Sequence, residues 1–267
     1  MKKKKTTSFI LISIVLLFIV YCFRFQMLFK VQLYQINSIR QDARLSNNSF
    51  ASDFHQNSRH HVFLLKGIER IMPHRVNSLQ RFAYLYDHFE GFECDIIFDS
   101  LHSILFLAHD KQEISAYTFE SLLKEDKKKK IFWLDVKNMD STSFLTFYQH
   151  LKNLDNNYDL KTRIIIESTN PFFLLALMDS GYLTSLYLTR ETEYGDKNFR
   201  SYIKKKGRLI SQDISQLNMF NKIYPSKKKI TWDITFLNSL DKDVLIQHIQ
   251  DSSILLCLIN IKSPGYR

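Results

Sequence analysis

From residue 67 onward the chain repeats one pattern, and that repetition limits the folds open to it. Short apolar runs rich in β-branched and aromatic residues fall near 69–74, 92–98, 131–136, 163–167, 185–189, 208–212, 230–234 and 254–259. Amphipathic stretches lie between most of them, at 77–89, 115–124, 141–154, 171–180, 198–205, 214–223 and 241–249. Apolar runs of strand length, separated by segments with helical spacing of apolar residues, read as alternating strands and helices. Eight such repeats predict a small (β/α)8 TIM barrel. A further extended piece at 104–108 follows the second run too closely for a helix between them. A doubly wound open sheet is the competing arrangement. It fits less well, because no Gly-rich phosphate loop follows the first strand in a chain with only six glycines.

The first 66 residues are of a different kind. Residues 2–5 are all lysine, and 8–23 is an apolar run without a charge. Extended across Arg24 to residue 29, the run reaches the length of a membrane span. No small-x-small cleavage site follows, so an uncleaved anchor is expected rather than a signal peptide. The sequence therefore predicts a cytoplasmic basic tail at 1–7, a transmembrane helix at 8–29, a linker at 30–66 and a barrel at 67–267. Within 30–66, residues 31–44 favour a short helix and 46–61 a polar linker. The positive-inside rule then places the catalytic domain on the extracytoplasmic side.

In a (β/α)8 barrel, chemistry belongs at the C-terminal ends of strands. His74 ends the first predicted strand, Glu93 and Asp95 lie on the second, and His109 follows the piece at 104–108. Asp135 and Lys137 end the third strand, Glu167 the fourth, Arg190 the fifth and Asp213 the sixth, while Trp232 lies in the seventh. Alternate strand residues share a face, so Glu93 and Asp95 point the same way. Two carboxylates side by side in an apolar strand repel and lose hydration unless a cation sits between them. That predicts a divalent-metal site flanked by two acid/base imidazoles, with Glu93, Asp95 and Asp135 as ligands for Mg²⁺ or Ca²⁺. A buried carboxylate set paired with Arg75 and Lys137 is the structural alternative. Asn77 suits either a hydrogen bond into the site or a helix N-cap. Trp232 suits either a core position or the wall of a leaving-group pocket, and Glu167 and Arg190 can pair with each other. Cys94 should face away from the carboxylates, and Cys94 and Cys257 read as buried structural thiols.

The net charge is +10. It is clustered at 2–5, 127–130, 204–206 and 227–229, without zinc-finger spacing or basic-aromatic interleaving, and so argues against nucleic acid as a partner. The last three clusters each precede a predicted strand. They predict a basic N-terminal barrel face that, with the anchor, would rest on anionic lipid.

Residues 67–267 resemble the glycerophosphodiester phosphodiesterase superfamily, which includes phosphatidylinositol-phospholipase-C-like barrels and sphingomyelinase D. The likeness rests on His74-Arg75, Glu93-Cys94-Asp95, the apolar strand ending in His109-Asp110, Asp135-Val136-Lys137, and Trp232. The diesterases usually carry His-Arg-Gly and a glutamate as third metal ligand. Here Val76 and Asp135 stand instead, and the His74-Arg75-Val76-Asn77 opening is closer to the sphingomyelinase-D-like branch. The resemblance implies a metal-dependent phosphodiesterase acting on a glycerophosphodiester or phospholipid-type bond. His74 and His109 would be its acid/base pair, and Arg75, Asn77, Lys137 and Trp232 would contact substrate. A catalytically weak barrel that binds a phosphorylated glycan or headgroup is the competing expectation.

Overall fold

The computed structural model describes residues 2–44, 71–114, 116–188, 197–204, 209–213, 216–225, 227–235, 243, 246–247, 250–251, 254–261 and 263. Within these lie nine strands: β1 (Ile71–Pro73), β2 (Gly91–Asp99), β3 (Ile104–Leu107), β4 (Ile131–Val136), β5 (Ile164–Ser168), β6 (Leu183–Tyr187), β7 (Leu209–Asp213), β8 (Lys228–Thr235) and β9 (Ile254–Asn260). They pair in the order β1-β9-β8-β7-β6-β5-β4-β2-β3. Every pairing is parallel except that of β2 with β3, which is antiparallel. The sheet curls until β1 comes back beside β2. There the Val76 N–H donates to Glu93 O at 2.8 Å, and Gly91 makes the close approach possible. A Cβ on Gly91 would lie 2.5 Å from Met72 Cε and 3.1 Å from Ile131 O. The result is TIM-barrel-like, with β3 added outside β2.

The helices follow α1 (Lys2–Arg44): α2 (Leu79–Leu85), α3 (Phe119–Glu125), α4 (Phe144–Tyr158), α5 (Pro171–Asp179), α6 (Lys197–Lys204) and α7 (Leu217–Ile223). Local chemistry sets their starts. Ser78 caps α2 by accepting from Arg81 N, Thr118 and Ser121 form a capping box on α3, and Asn170 caps α5 ahead of Pro171. The helix expected at 241–249 and the polar linker at 46–61 lie largely outside the described residues. Two apolar layers result. One packs helices on the outer sheet face, with Phe82, Phe92, Phe119 and Phe132 in mutual edge and stacked contacts. The other fills the barrel interior with Met72, Trp133, Ile165, Leu183, Leu209, Ile230 and Leu258.

Two expectations about the chain's surroundings need correction. Among the described residues no helix is long and apolar enough to cross a membrane. The transmembrane helix at 8–29, the membrane anchoring and the single-pass extracytoplasmic placement are therefore overturned. The physical reason is that the uncharged stretch, 8–23, falls short of the ~20 residues a span needs and ends at Arg24. Beyond it α1 continues unbroken to Arg44, and Phe29, Ile36 and Ile39 are buried. The Phe29 ring lies 4.5 Å from that of Tyr84 and 5.6 Å from that of His88.

The lysine clusters are also less of a surface than their spacing suggests. Lys130 and Lys229 are buried. Lys130 Nζ donates to Phe89 O at 2.6 Å, and Lys229 Nζ donates to Tyr224 O at 3.0 Å and Lys227 O at 2.8 Å. Tyr224 follows the last residue of α7, so Lys229 satisfies a helix-end carbonyl. Lys205 and Lys206 lie outside the described residues.

Candidate active site

The site forms where β1, β2, β4 and β9 end. β2 and β4 run in register, Glu93 beside Trp133 and Asp95 beside Asp135. Glu93, Asp95 and Asp135 accordingly meet, with one oxygen from each within 4.8 Å of the others. A cavity of about 210 Å³ opens over them, lined among others by His74, Arg75, His109, Lys137, Glu167 and Trp232. Every residue expected to carry chemistry borders this cavity except Asp95 and Asn77. Asp95 is buried, and Asn77 makes two hydrogen bonds to it. Arg190 lies outside the described residues.

The approach from β1 is strained. Arg75 takes φ 58°, a left-handed conformation costly for a residue with a Cβ. The turn aims the Arg75 N–H at Glu93 Oε2, 2.5 Å away. Its guanidinium Nε lies 4.0 Å from Asp95 Oδ2. Val76, which stands where the diesterases usually have glycine, is wholly buried.

Asn77 makes no cap. Its Nδ2 donates to Asp95 Oδ2 at 2.7 Å, and its Oδ1 accepts from Asp95 N at 2.9 Å, while Ser78 caps α2. Cys94 faces away from the carboxylates and donates to Val76 O.

His74 is set from the far end of the chain. Its Nδ1 lies 2.9 Å from Asn260 Oδ1, at the end of β9, and its Nε2 lies 3.7 Å from Glu93 Oε2. The buried Arg81 donates to His74 O at 3.0 Å and to Ile261 O at 2.9 Å, tying the first and last strand ends together. His109 is held through its backbone N–H, which donates to Glu113 Oε2 at 3.3 Å. It also forms a second, largely exposed cluster with Asp110 and Glu113. Asp110 is engaged there as the cap of a short 3-10 turn.

The electrostatics are unbalanced. Burial, then the charges of Asp95 and Asp135, push the Glu93 carboxyl well above the usual carboxylate range. Burial also raises Asp135, with Lys137 opposing. For Asp95, burial acts upward but is outweighed by Lys137 and Asn77, and the carboxyl is held below its ordinary value. Lys137 ion-pairs with Asp95 at 2.8 Å and with Asp135. Those two carboxylates hold its ammonium above the ordinary lysine value against burial. Four acids, Glu167 included, thus surround one lysine whose side chain is a quarter exposed. The donor set is all oxygen and carries surplus negative charge, which fits a hard divalent cation such as Mg²⁺ or Ca²⁺.

Four contributors escaped sequence reasoning or were left without a role: Asn260, Trp133, Tyr187 and Glu167. Strand parity could have found them, since Asn260 shares the inward face with Leu258, Trp133 with Asp135, and Tyr187 with the expected face of Trp232. The Tyr187 and Trp232 rings meet edge to face at 4.8 Å. Trp232 is therefore half-exposed wall, not core. A larger cavity of about 560 Å³ opens at the opposite end near Asp126, Asp155 and Arg163. Its charged groups are spent on one another, as in the Arg163–Asp126 and Lys161–Asp155 pairs.

No family model matches the chain. No curated protein matches it at a significant level. Solved structures do. A glycerophosphodiester phosphodiesterase from Thermotoga maritima superposes with a TM-score of 0.52 at 13% identity, over 72% of this chain and 94% of that one. One from Parabacteroides distasonis gives 0.50 at 13% identity, over 71% and 92%. A phosphodiesterase from Oleispira antarctica in complex with the product sn-glycerol-3-phosphate gives 0.51 at 9% identity, over 70% and 92%. At these identities the likeness establishes that the chain has the fold of the glycerophosphodiester phosphodiesterases.

Proposed function

We propose that the chain is a divalent-metal-dependent phosphodiesterase cleaving a P–O bond of a small phosphodiester of the glycerophosphodiester type. One observation carries this reading above the others. Two histidines, an arginine and a lysine border the same cavity as Glu93 and Asp135, whose oxygens and that of Asp95 approach within 4.8 Å of one another. The shared fold agrees with it.

Glu93, Asp95 and Asp135 would hold the ion, and a bound Mg²⁺ or Ca²⁺ supplies neutralisation of the phosphate charge and polarisation of the P–O bond. Asn77 keeps Asp95 oriented, and the Arg75 N–H fixes Glu93. The Arg75 and Lys137 side chains bind the non-bridging phosphate oxygens, the first as a fork and the second as a point charge. One histidine takes the proton from the attacking oxygen and the other returns one to the departing alcohol. Asn260 orients the His74 ring so that Nε2 faces the carboxylates.

The competing binding-module reading called for carboxylates splayed apart, and their close approach counts against it. The test is release of alcohol from glycerophosphodiesters, lysophospholipids and sphingomyelin, with and without EDTA, by wild type and His74→Ala. Turnover abolished by both chelator and mutation is the expected result, and turnover surviving both would overturn the mechanism. Phosphorus NMR of the product separates attack by water, which gives a monoester, from attack by a substrate hydroxyl, which gives a cyclic phosphate.

A further inference from the structure

One guanidinium reaches the strand ends from the helix layer. Arg81, on α2, is fully buried. Its Nη2 donates to His74 O at 3.0 Å, and its Nη1 donates to Ile261 O at 2.9 Å and to Ser263 Oγ. Taking a guanidinium out of water is costly, and a hydrocarbon side chain would fill the same space without that cost. The contacts therefore call for a role beyond packing.

That role lies in the peptide between His74 and Arg75. Its carbonyl accepts from Arg81, and its N–H donates to Glu93 Oε2 at 2.5 Å. The neighbouring peptides are fixed independently. The His74 N–H donates to Ile259 O at 2.9 Å, the Val76 N–H donates to Glu93 O at 2.8 Å, and Val76 O accepts from Cys94. Turning over one rigid peptide changes only ψ of His74 and φ of Arg75, so this one can flip between anchored neighbours. Arg75 stands at φ 58°, in the left-handed region that a residue with a Cβ occupies at a cost. A flip would return Arg75 to negative φ and relieve that cost. It would also replace the N–H at Glu93 by a carbonyl oxygen, which repels the carboxylate. The flipped peptide loses the charged hydrogen bond from Arg81, and such a bond is of the same size as the strain it opposes.

We propose that Arg81 is a positioning residue: it locks the His74–Arg75 peptide in the strained orientation that presents an N–H to Glu93. Its second bond, to the carbonyl that follows Asn260, holds the partner of the His74 ring in the same frame. Arg81 does not line the cavity and acts through the backbone. The consequence for metal binding rests on the phosphodiesterase reading, whereas the orientation of the peptide does not.

Two readouts on the full chain test it. The first is the NMR signal of the Arg75 amide in metal-free protein isotope-labelled at arginine, assigned by its disappearance in Arg75→Lys. An N–H this close to a carboxylate oxygen resonates far downfield, and wild type should show that shift. Arg81→Met should lose it. The second is Mg²⁺ affinity by calorimetry, which should fall about tenfold in Arg81→Met, the lower end for disturbing the support of a metal ligand. Arg81→Lys keeps one charged donor and should be intermediate in both, and it replaces the methionine variant should that fail to fold. A merely structural role would lower the unfolding midpoint and leave the Arg75 amide in place, and that result in either folded variant overturns the proposal. An ordinary amide shift in wild type overturns it as well, as does a lost shift with unchanged Mg²⁺ affinity. If wild type takes up no Mg²⁺, the metal-dependent reading falls, and the Arg75 amide alone decides for or against the lock.

Discussion

The two ends of the barrel treat buried carboxylates in opposite ways. At the N-terminal end, both Asp126 oxygens are taken. Oδ1 accepts from Tyr86 Oη at 2.9 Å, and Oδ2 accepts from Lys130 N at 2.9 Å and pairs with Arg163. Arg163 in turn donates to Tyr158 O and Lys130 O, and its guanidinium lies 5.7 Å from the Phe132 ring centroid. At the C-terminal end, Glu93 receives one backbone N–H and faces two further carboxylates. One end is a closed network whose charges are paired. The other crowds carboxyls whose pKa values burial and mutual repulsion raise.

The sharpest way to break this comparison is at the histidines. His74→Ala or His109→Ala should reduce kcat by about 10²–10⁴-fold and leave the unfolding midpoint nearly unchanged. A large stability loss with modest kinetic loss would mean the upper end is also structural. Next in size is Arg163→Ala, which strands Asp126 in the interior. It should cost about 3–5 kcal/mol in denaturant unfolding, and a near-neutral effect would remove the contrast.

Two lysines in one cluster sharpen the picture. Lys130→Met loses the contacts to Phe89 O and Glu90 and should cost about 1–3 kcal/mol. Lys128→Met, although it breaks the pair with Asp87, should not measurably move the melting temperature, because both partners are exposed.

The most diagnostic effect comes from Glu93. Glu93→Gln keeps the acceptor for the Arg75 N–H and removes the crowded charge. It should raise the stability of the metal-free protein by roughly 1 kcal/mol while abolishing Mg²⁺ binding by calorimetry. The pH dependence has a definite sign. The folded-state pKa values of Glu93, Asp135 and Glu167 are raised, each first by burial. The native state therefore holds protons that the unfolded chain releases. Their contribution is fully present below the ordinary carboxylate values of 4.5 for Glu and 3.8 for Asp, and it is lost as pH rises through the raised folded values. The melting temperature of metal-free wild type should accordingly fall across that window more steeply than that of Glu93→Gln, and Mg²⁺, which the variant does not bind, should offset the fall in wild type alone.

Most of the architecture was legible because strands and helices announce themselves locally. Each apolar run predicted between 92 and 259 coincides with a strand to within a few residues, and the piece at 104–108 is β3. The motif residues were legible for the same reason, since period-two alternation puts Glu93 and Asp95 on one face and parallel register brings Asp135 beside Asp95. The membrane span was the clear failure. Local hydropathy across 8–29 suggested an anchor, but charge placement and continuation of α1 onto the domain decided otherwise.

By itself, then, the sequence determined the repeat, the strand ends and the chemical character of the residues placed there, all consequences of neighbours along the chain. Only the tertiary structure decided which partners those residues took. It brought Asn260 to His74 across 186 positions, turned Asn77 from a cap into the clamp on Asp95, and drew Lys130 and Lys229 inward. It also left the Trp133 Nε1–H without a partner among the described residues. Hydrogen-bond and charge partners far apart in sequence are chosen by packing, and packing exists only once the sheet has curled and its ends have met.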